Sequence, residues 1–257
     1  MRVLAALALV ASVLVADAPG VHPSQIRPLG AGGEWTPRFS DDFDGDALDP
    51  KKWSSGFGWG EVSRRTYGYC APANNIVGGG VLEQRIERKR RGGRPFTVGC
   101  VNSRERFSQL YGFWEARMRV AGCRGARSSF WAKPADESWP PEIDMVEVYG
   151  DRRAAAELTV HWEENGRHRQ SKGIYEKGDF SEAFHVIGMR WTPYQTIWYV
   201  DGVERRRTGA GYRFLNDGGP FYMMLEAQVV RDDSRCGIWP SYSSAYVDYV
   251  RVWKRRR

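Results

Sequence analysis

Apolar and polar residues alternate through most of the chain, and no long stretch holds a helical period. In FWEARMRV, residues 113–120, Trp114, Ala116, Met118 and Val120 form an apolar face, while Glu115, Arg117 and Arg119 form a polar one. A period of two is what a half-buried strand requires. NNIVGGGVLEQRIER (74–88) reads as strand, glycine turn and strand, and FHVIGMRW (184–191) and AYVDYVRVW (245–253) as further strands. TIWYVDGVERRR (196–207) sets Asp201-Gly202 between two alternating segments, a strong hairpin signal. Many short strands separated by turns predict an all-β fold, a β-sandwich jelly roll with a concave face.

One segment breaks the alternation. In WPPEIDMVEVYG (139–150), Glu142, Ile143, Asp144 and Met145 alternate, but Glu147 arrives one residue late. A regular strand would turn Glu147 toward the apolar face, and a buried, unpaired carboxylate is costly. An extra residue at Met145-Val146, a β-bulge, returns it to the face of Glu142 and Asp144. Three neighbouring carboxylates repel when ionised, so their proton affinities must split. A sugar-cleaving site needs that division: one carboxylate as nucleophile and one protonated acid. A cation site and a solvated acidic face are the alternatives that spacing alone leaves open.

Composition narrows the field. The 257 residues, 42% hydrophobic, suffice for one large domain, expected over 35–257 after a loose leader at 21–34. Residues 1–20 begin with one Arg and a run of roughly fourteen apolar residues from Val3 to Ala16, the form of a secretory signal peptide too short to span a membrane. An exported, extracellular protein with no membrane segment after cleavage is expected. Export gives meaning to Cys70, Cys100, Cys123 and Cys236, which lack metal-ligand spacing. Disulfides Cys70–Cys100 and Cys123–Cys236 are the preferred pairing, because both members of each lie in loop-like sequence. The net charge of +7 is concentrated in ERKRRGGR (87–94) and KRRR (254–257). Without interleaved aromatics or a recognisable module it does not point to nucleic acid. Eleven Trp and twelve Tyr favour a carbohydrate partner.

FSDDFDGDALDPKKW (39–53), SFWAKPADESWPPEIDMVE (129–147) and VDYVRVW (247–253) together resemble glycoside hydrolase family 16, in its laminarinase-like subgroup with the bulged E-I-D-x-x-E string. The resemblance implies a retaining endo-glycosidase acting as a monomer on β-1,3- or mixed-linkage β-glucan without a catalytic cofactor. A transglycosylase, a galactan hydrolase and a non-catalytic glucan-binding jelly roll are the alternatives. By the same resemblance Glu142 is the nucleophile, Glu147 the acid/base, and Asp144 the residue that tunes Glu142. His161 would lie beside the acid/base, with a structural histidine as its alternative. Asn74, Glu115 and Arg117 would face the sugar. Trp131 and Trp139 would be stacking platforms, although Trp131 also suits a core. Asp248, in phase with Val250 and Val252, is the candidate ligand of a structural Ca²⁺. Two departures stand out: Pro141 before the first glutamate, and Gln228-Val229-Val230-Arg231 with Asp232 and Asp233 at the expected cleft floor.

Overall fold

The computed structural model describes residues 27–176, 178–209, 219–238 and 243–256. The signal-peptide segment lies outside them. Among the described residues no helix is long and apolar enough to cross a membrane.

Two sheets face one another. The first runs in the order β15 (Val203–Arg207), β14 (Thr196–Val200), β13 (His185–Trp191), β8 (Gly112–Arg119), β17 (Ser244–Arg255), β5 (Val81–Glu87), β6 (Phe96–Val98), β3 (Gly68–Cys70). Strand β1 (Trp35–Asp41) pairs with β17, and β4 (Asn75–Gly78) with β5. The second runs β12 (Arg167–Glu176), β11 (Ala155–Glu164), β10 (Glu142–Tyr149), β9 (Ala126–Pro134), β16 (Phe221–Val229), β7 (Cys100–Asn102), β2 (Ser54–Ser55). This is the expected β-sandwich jelly roll. Its main core lies between the layers, with Trp114, Ala116, Met118, Val250 and Val252 from one sheet meeting Phe130, Ile143, Met145, Leu158, Met223 and Leu225 from the other.

The turn signals hold. Asp201 and Gly202 join β14 to β15 with φ of 51° and 75°, the paired left-handed conformation of a type I′ hairpin turn. Both disulfides form, Cys70–Cys100 and Cys123–Cys236. Cys70 and Cys100 sit at strand ends rather than in loops.

The outer face of strand β8 is covered at Phe113 and Glu115 and half-open at Arg117, and two expectations are overturned there. Trp35, Phe113, Ile197, Tyr199 and Trp253 build a second apolar cluster outside the first sheet. Glu115 is consequently 1% exposed, accepting hydrogen bonds from Leu29 N (2.8 Å) and Tyr249 OH (3.1 Å). Its role is to tie down the leader, whose described part is anchored rather than loose. Arg117 pairs with Asp248 at 2.6 Å. The β17 register shifts between Val247 and Tyr249, so Asp248 leaves the phase of Val250 and Val252 and turns to that guanidinium. A Ca²⁺ bound through Asp248 would have to share that carboxylate with the Arg117 guanidinium.

Candidate active site

Strand β10 carries the acids, and its ladder shows how. Asp144 pairs with Thr159 and Glu147 with Glu157, three steps on β10 against two on β11. On the other side Asp144 faces Trp131 and Val146 faces Phe130, two steps against one. One residue is therefore extra, and Met145 and Val146 are both buried in the core (0% and 1% exposed). The Asp144 carbonyl at the bulge accepts a 2.8 Å hydrogen bond from Trp198 Nε1, which reaches across from β14. Glu142, Asp144 and Glu147 emerge on one face and line one cleft. Without the extra residue, everything after it would swap faces.

The groups around the acids divide their roles. Trp139 Nε1 donates to Glu142 Oε2 at 2.8 Å. His161, directly across the ladder from Glu142, places Nε2 3.0 Å from Asp144 Oδ2 and 3.5 Å from Glu142 Oε1. Its Nδ1 lies 2.9 Å from Nε2 of His168 on β12, whose ring lies 4.8 Å from that of Trp139. Glu147 instead meets Arg127 at 3.1 Å, and Arg127 also pairs with Glu226 at 2.7 Å. Burial, then the neighbouring Asp144, pushes the Glu142 carboxyl up to about 8. Asp144 is pushed well above the usual carboxylate range by burial and then by Glu147. Burial also holds the His161 imidazole below its ordinary value, against the pull of Glu142 and Glu147. Burial opposes the Arg127 charge, but Glu147 and Glu226 together hold it firmly protonated.

Glu142, Asp144 and His161 each offer one ligand atom within 4.8 Å of the others, so they have the reach to bind a cation. The contacts inside the trio are at hydrogen-bond length, and Trp139 and His168 occupy its outer edges. Those partners, with the raised proton affinity of both carboxyls, fit proton sharing better than a metal.

Trp131 (8% exposed) and Trp139 (41% exposed) both line the cleft, Trp139 as an open platform and Trp131 as wall. Asn74 does not reach it. Its side chain is buried and donates to Arg85 O at 3.0 Å, fastening β5 to the preceding turn. Arg231 pairs with Asp233 on the exposed surface at 2.8 Å, so this pair leaves the cleft floor unchanged. Glu226, earlier on the same strand, does line the cleft.

Sequence reading missed Trp59, Arg127, His168 and Glu226. Glu226 and Arg127 had a signal: the one acid within FYMMLEAQV, and the first of two cations in ARSSFWAKP, each in a strand otherwise short of charge. A buried charge requires a partner, and the two strands are neighbours. Trp59 lies in the glycine-rich GFGWG turn, where periodicity carries no information. It stacks on Phe57 at 4.8 Å and 4°, 45% exposed.

The sequence model of the glycosyl hydrolases family 16 matches residues 82–227. The chain belongs to glycosyl hydrolase family 16. It is 30% identical over 244 residues to a beta-glucanase of Rhodothermus marinus, covering 86% of this chain and 85% of that protein. It is 31% identical over 163 residues to the endo-1,3-1,4-beta-glycanase ExsH of Rhizobium meliloti, covering 63% of this chain and 34% of ExsH. The chain thus matches about a third of the length of that relative. Among solved structures, the laminarinase from Rhodothermus marinus superposes with a TM-score of 0.72 at 28% identity, covering 87% of this chain and 99% of that one.

Proposed function

We propose that this family-16 protein is an exported endo-glycosidase that hydrolyses β-1,3- or mixed-linkage β-1,3-1,4-glucan with retention, through a covalent glycosyl-enzyme. The observation that carries it is the bulge at Met145-Val146, which sets Glu142, Asp144 and Glu147 together in a cleft flanked by exposed indoles. The names of the relatives, beta-glucanase, endo-1,3-1,4-beta-glycanase and laminarinase, supply the substrate class. Export is supported by the apolar N-terminal run and by the two disulfides.

In the first step the Glu142 carboxylate attacks the anomeric carbon while the Glu147 carboxyl gives its proton to the departing glycosidic oxygen. In the second, ionised Glu147 takes a proton from water, whose oxygen displaces Glu142 from the sugar. The reactive state therefore requires one proton on Glu147 and none on Glu142. Burial drives the resting proton toward Glu142 and Asp144. The Trp139 donor opposes that at Glu142. Asp144 and His161 bracket the carboxyl, and His161 connects through His168 to the exposed face of β12.

The test is release of reducing ends from laminarin, lichenan, agarose and carrageenan, with Glu142→Gln and Glu147→Gln as comparisons. Release from laminarin or lichenan as the β-anomer is expected. Glu142→Gln should be inactive, and Glu147→Gln slower by about 10²–10⁴-fold. Wild type that merely binds a polymer, with no more release than Glu142→Gln, would reduce the protein to a carbohydrate-binding jelly roll.

A further inference from the structure

Part of the cleft wall is the turn Ser63–Thr66, which presents Arg64 and Arg65 as exposed side chains lining the site. The turn is held in place. Ser63 O accepts from Arg94 Nη2 at 2.9 Å and from Thr66 N at 3.4 Å. Tyr67 N donates to Val229 O at 2.8 Å, and the Cys70–Cys100 disulfide fastens the segment just beyond. The two guanidinium groups project from a fixed backbone.

The other cleft cations have partners: Arg127 holds Glu147 and Glu226, and Lys133 holds Glu137. Among the described residues no ion pair engages Arg64 or Arg65. Arg65 lies 5.6 Å above the Trp139 ring, and Lys133 lies 4.9 Å above Trp59. Each exposed indole of the cleft therefore carries a cation over its ring, with His168 also against Trp139 and Phe57 stacked on Trp59. On the floor, burial first, then Asp144 acting on Glu142 and Glu147 acting on Asp144, hold Glu142 and Asp144 toward their neutral forms, while Arg127 offsets Glu147 and Glu226. A site built on four carboxylates thus meets an incoming polymer with an uncompensated positive edge.

We propose that the glucan bound in this cleft carries anionic substituents, carboxylate or sulfate, and that Arg64 and Arg65 bind them at the cleft edge next to Trp139. The inference deepens the glucan reading and rests on it. Arg suits the task because its planar fork matches both oxyanions in two-point contact. Solvent-exposed pairs are individually weak, so two of them predict a preference of about 3- to 30-fold over the neutral polymer, diminishing with salt.

The experiment measures binding of full-length Glu142→Gln protein to neutral, carboxymethylated and sulfated β-1,3-glucan of matched chain length, at low and high NaCl. A several-fold preference for a charged polymer, lost at high salt, is expected, and the two charged arms separate carboxylate from sulfate. Adding Arg64→Gln and Arg65→Gln together should abolish the preference. Adding Lys89→Gln and Arg90→Gln, which removes the same charge from an exposed run elsewhere, should retain it. Equal affinity for neutral and charged polymers, or a preference that survives loss of Arg64 and Arg65, overturns the inference and leaves the glucan reading standing. Failure to bind any of the three overturns the glucan reading itself.

Discussion

Trp139→Phe isolates one hydrogen bond in the reaction centre. The substitution keeps an aromatic ring over the cleft and removes the N–H that donates to Glu142 Oε2 at 2.8 Å. That donor favours the ionised carboxylate, against burial and Asp144, which together push the group up to about 8. Its removal must therefore push Glu142 higher still. A hydrogen bond to a charged group contributes about 1.5–3 kcal/mol. Trp139 is 41% exposed, so water recovers part of that, and the lower end applies. About 1.4 kcal/mol corresponds to one pH unit.

Because attack requires ionised Glu142, the ascending limb of the kcat/KM profile should move about one unit to higher pH in Trp139→Phe. At any fixed pH on that limb the rate should fall about tenfold. The assay is initial-rate hydrolysis of laminarin across roughly pH 5 to 9, the range over which such limbs are read. Trp139→Ala, run alongside, loses the platform as well as the donor. A Trp139→Phe profile lowered uniformly, with its limb unmoved, would refute the reasoning: Trp139 would then act by stacking alone.

Two further outcomes follow from the same cluster. The Glu142 carboxyl is raised from 4.5 to about 8 by folding, so between those values the folded protein binds more protons than the unfolded chain, and stability falls as pH rises through that window. Glu142→Gln should thus be inactive yet more stable near pH 8, by about 2 kcal/mol out of a ceiling of roughly 5, with no gain near pH 4; a thermal melt showing equal or lower stability at both pH values would contradict the assigned burial cost. His168→Phe keeps a ring against Trp139 but removes the partner of His161 Nδ1. It should lower kcat/KM by about 2- to 12-fold, the worth of one neutral hydrogen bond, and shift the pH profile with little change in Tm; a profile of unchanged shape would make His168 packing only.

The sequence made the fold and the acid triad legible because both rest on local pattern. Alternation identifies strands wherever one face is buried, Asp201-Gly202 forces a turn, and a carboxylate out of phase is too costly to leave unexplained. Glu115 and Arg117 were misplaced because alternation reports two different faces without saying that the second is wet. On β8 the outer face at Glu115 lies beneath the leader, so that side chain becomes a structural tie, while Arg117 is taken up by an ion pair with Asp248. Arg127, Glu226 and His168 depend on which strands become neighbours, a fact no local window contains.

Asp248 and Glu147 test the same rule in opposite directions. In β10 the core takes Ile143 and Met145, then Val146 and Val148, an apolar phase that jumps by one residue. In β17 it takes Ala245 and Val247, then Val250 and Val252, and the phase jumps again. Assigning Asp248 to the phase of Val250 buried it, whereas the phase of Ala245 and Val247 places it outside. Only a bulge satisfies both pairs, and the register breaks there. An acid beside a jump in apolar phase is therefore better read as a residue being re-aimed than as a buried ligand. In β17 the re-aimed acid meets Arg117 and closes a surface ion pair. In β10 it meets Arg127 and lines the same cleft as Glu142, and there the same backbone irregularity supplies the second carboxylate that the proposed chemistry needs.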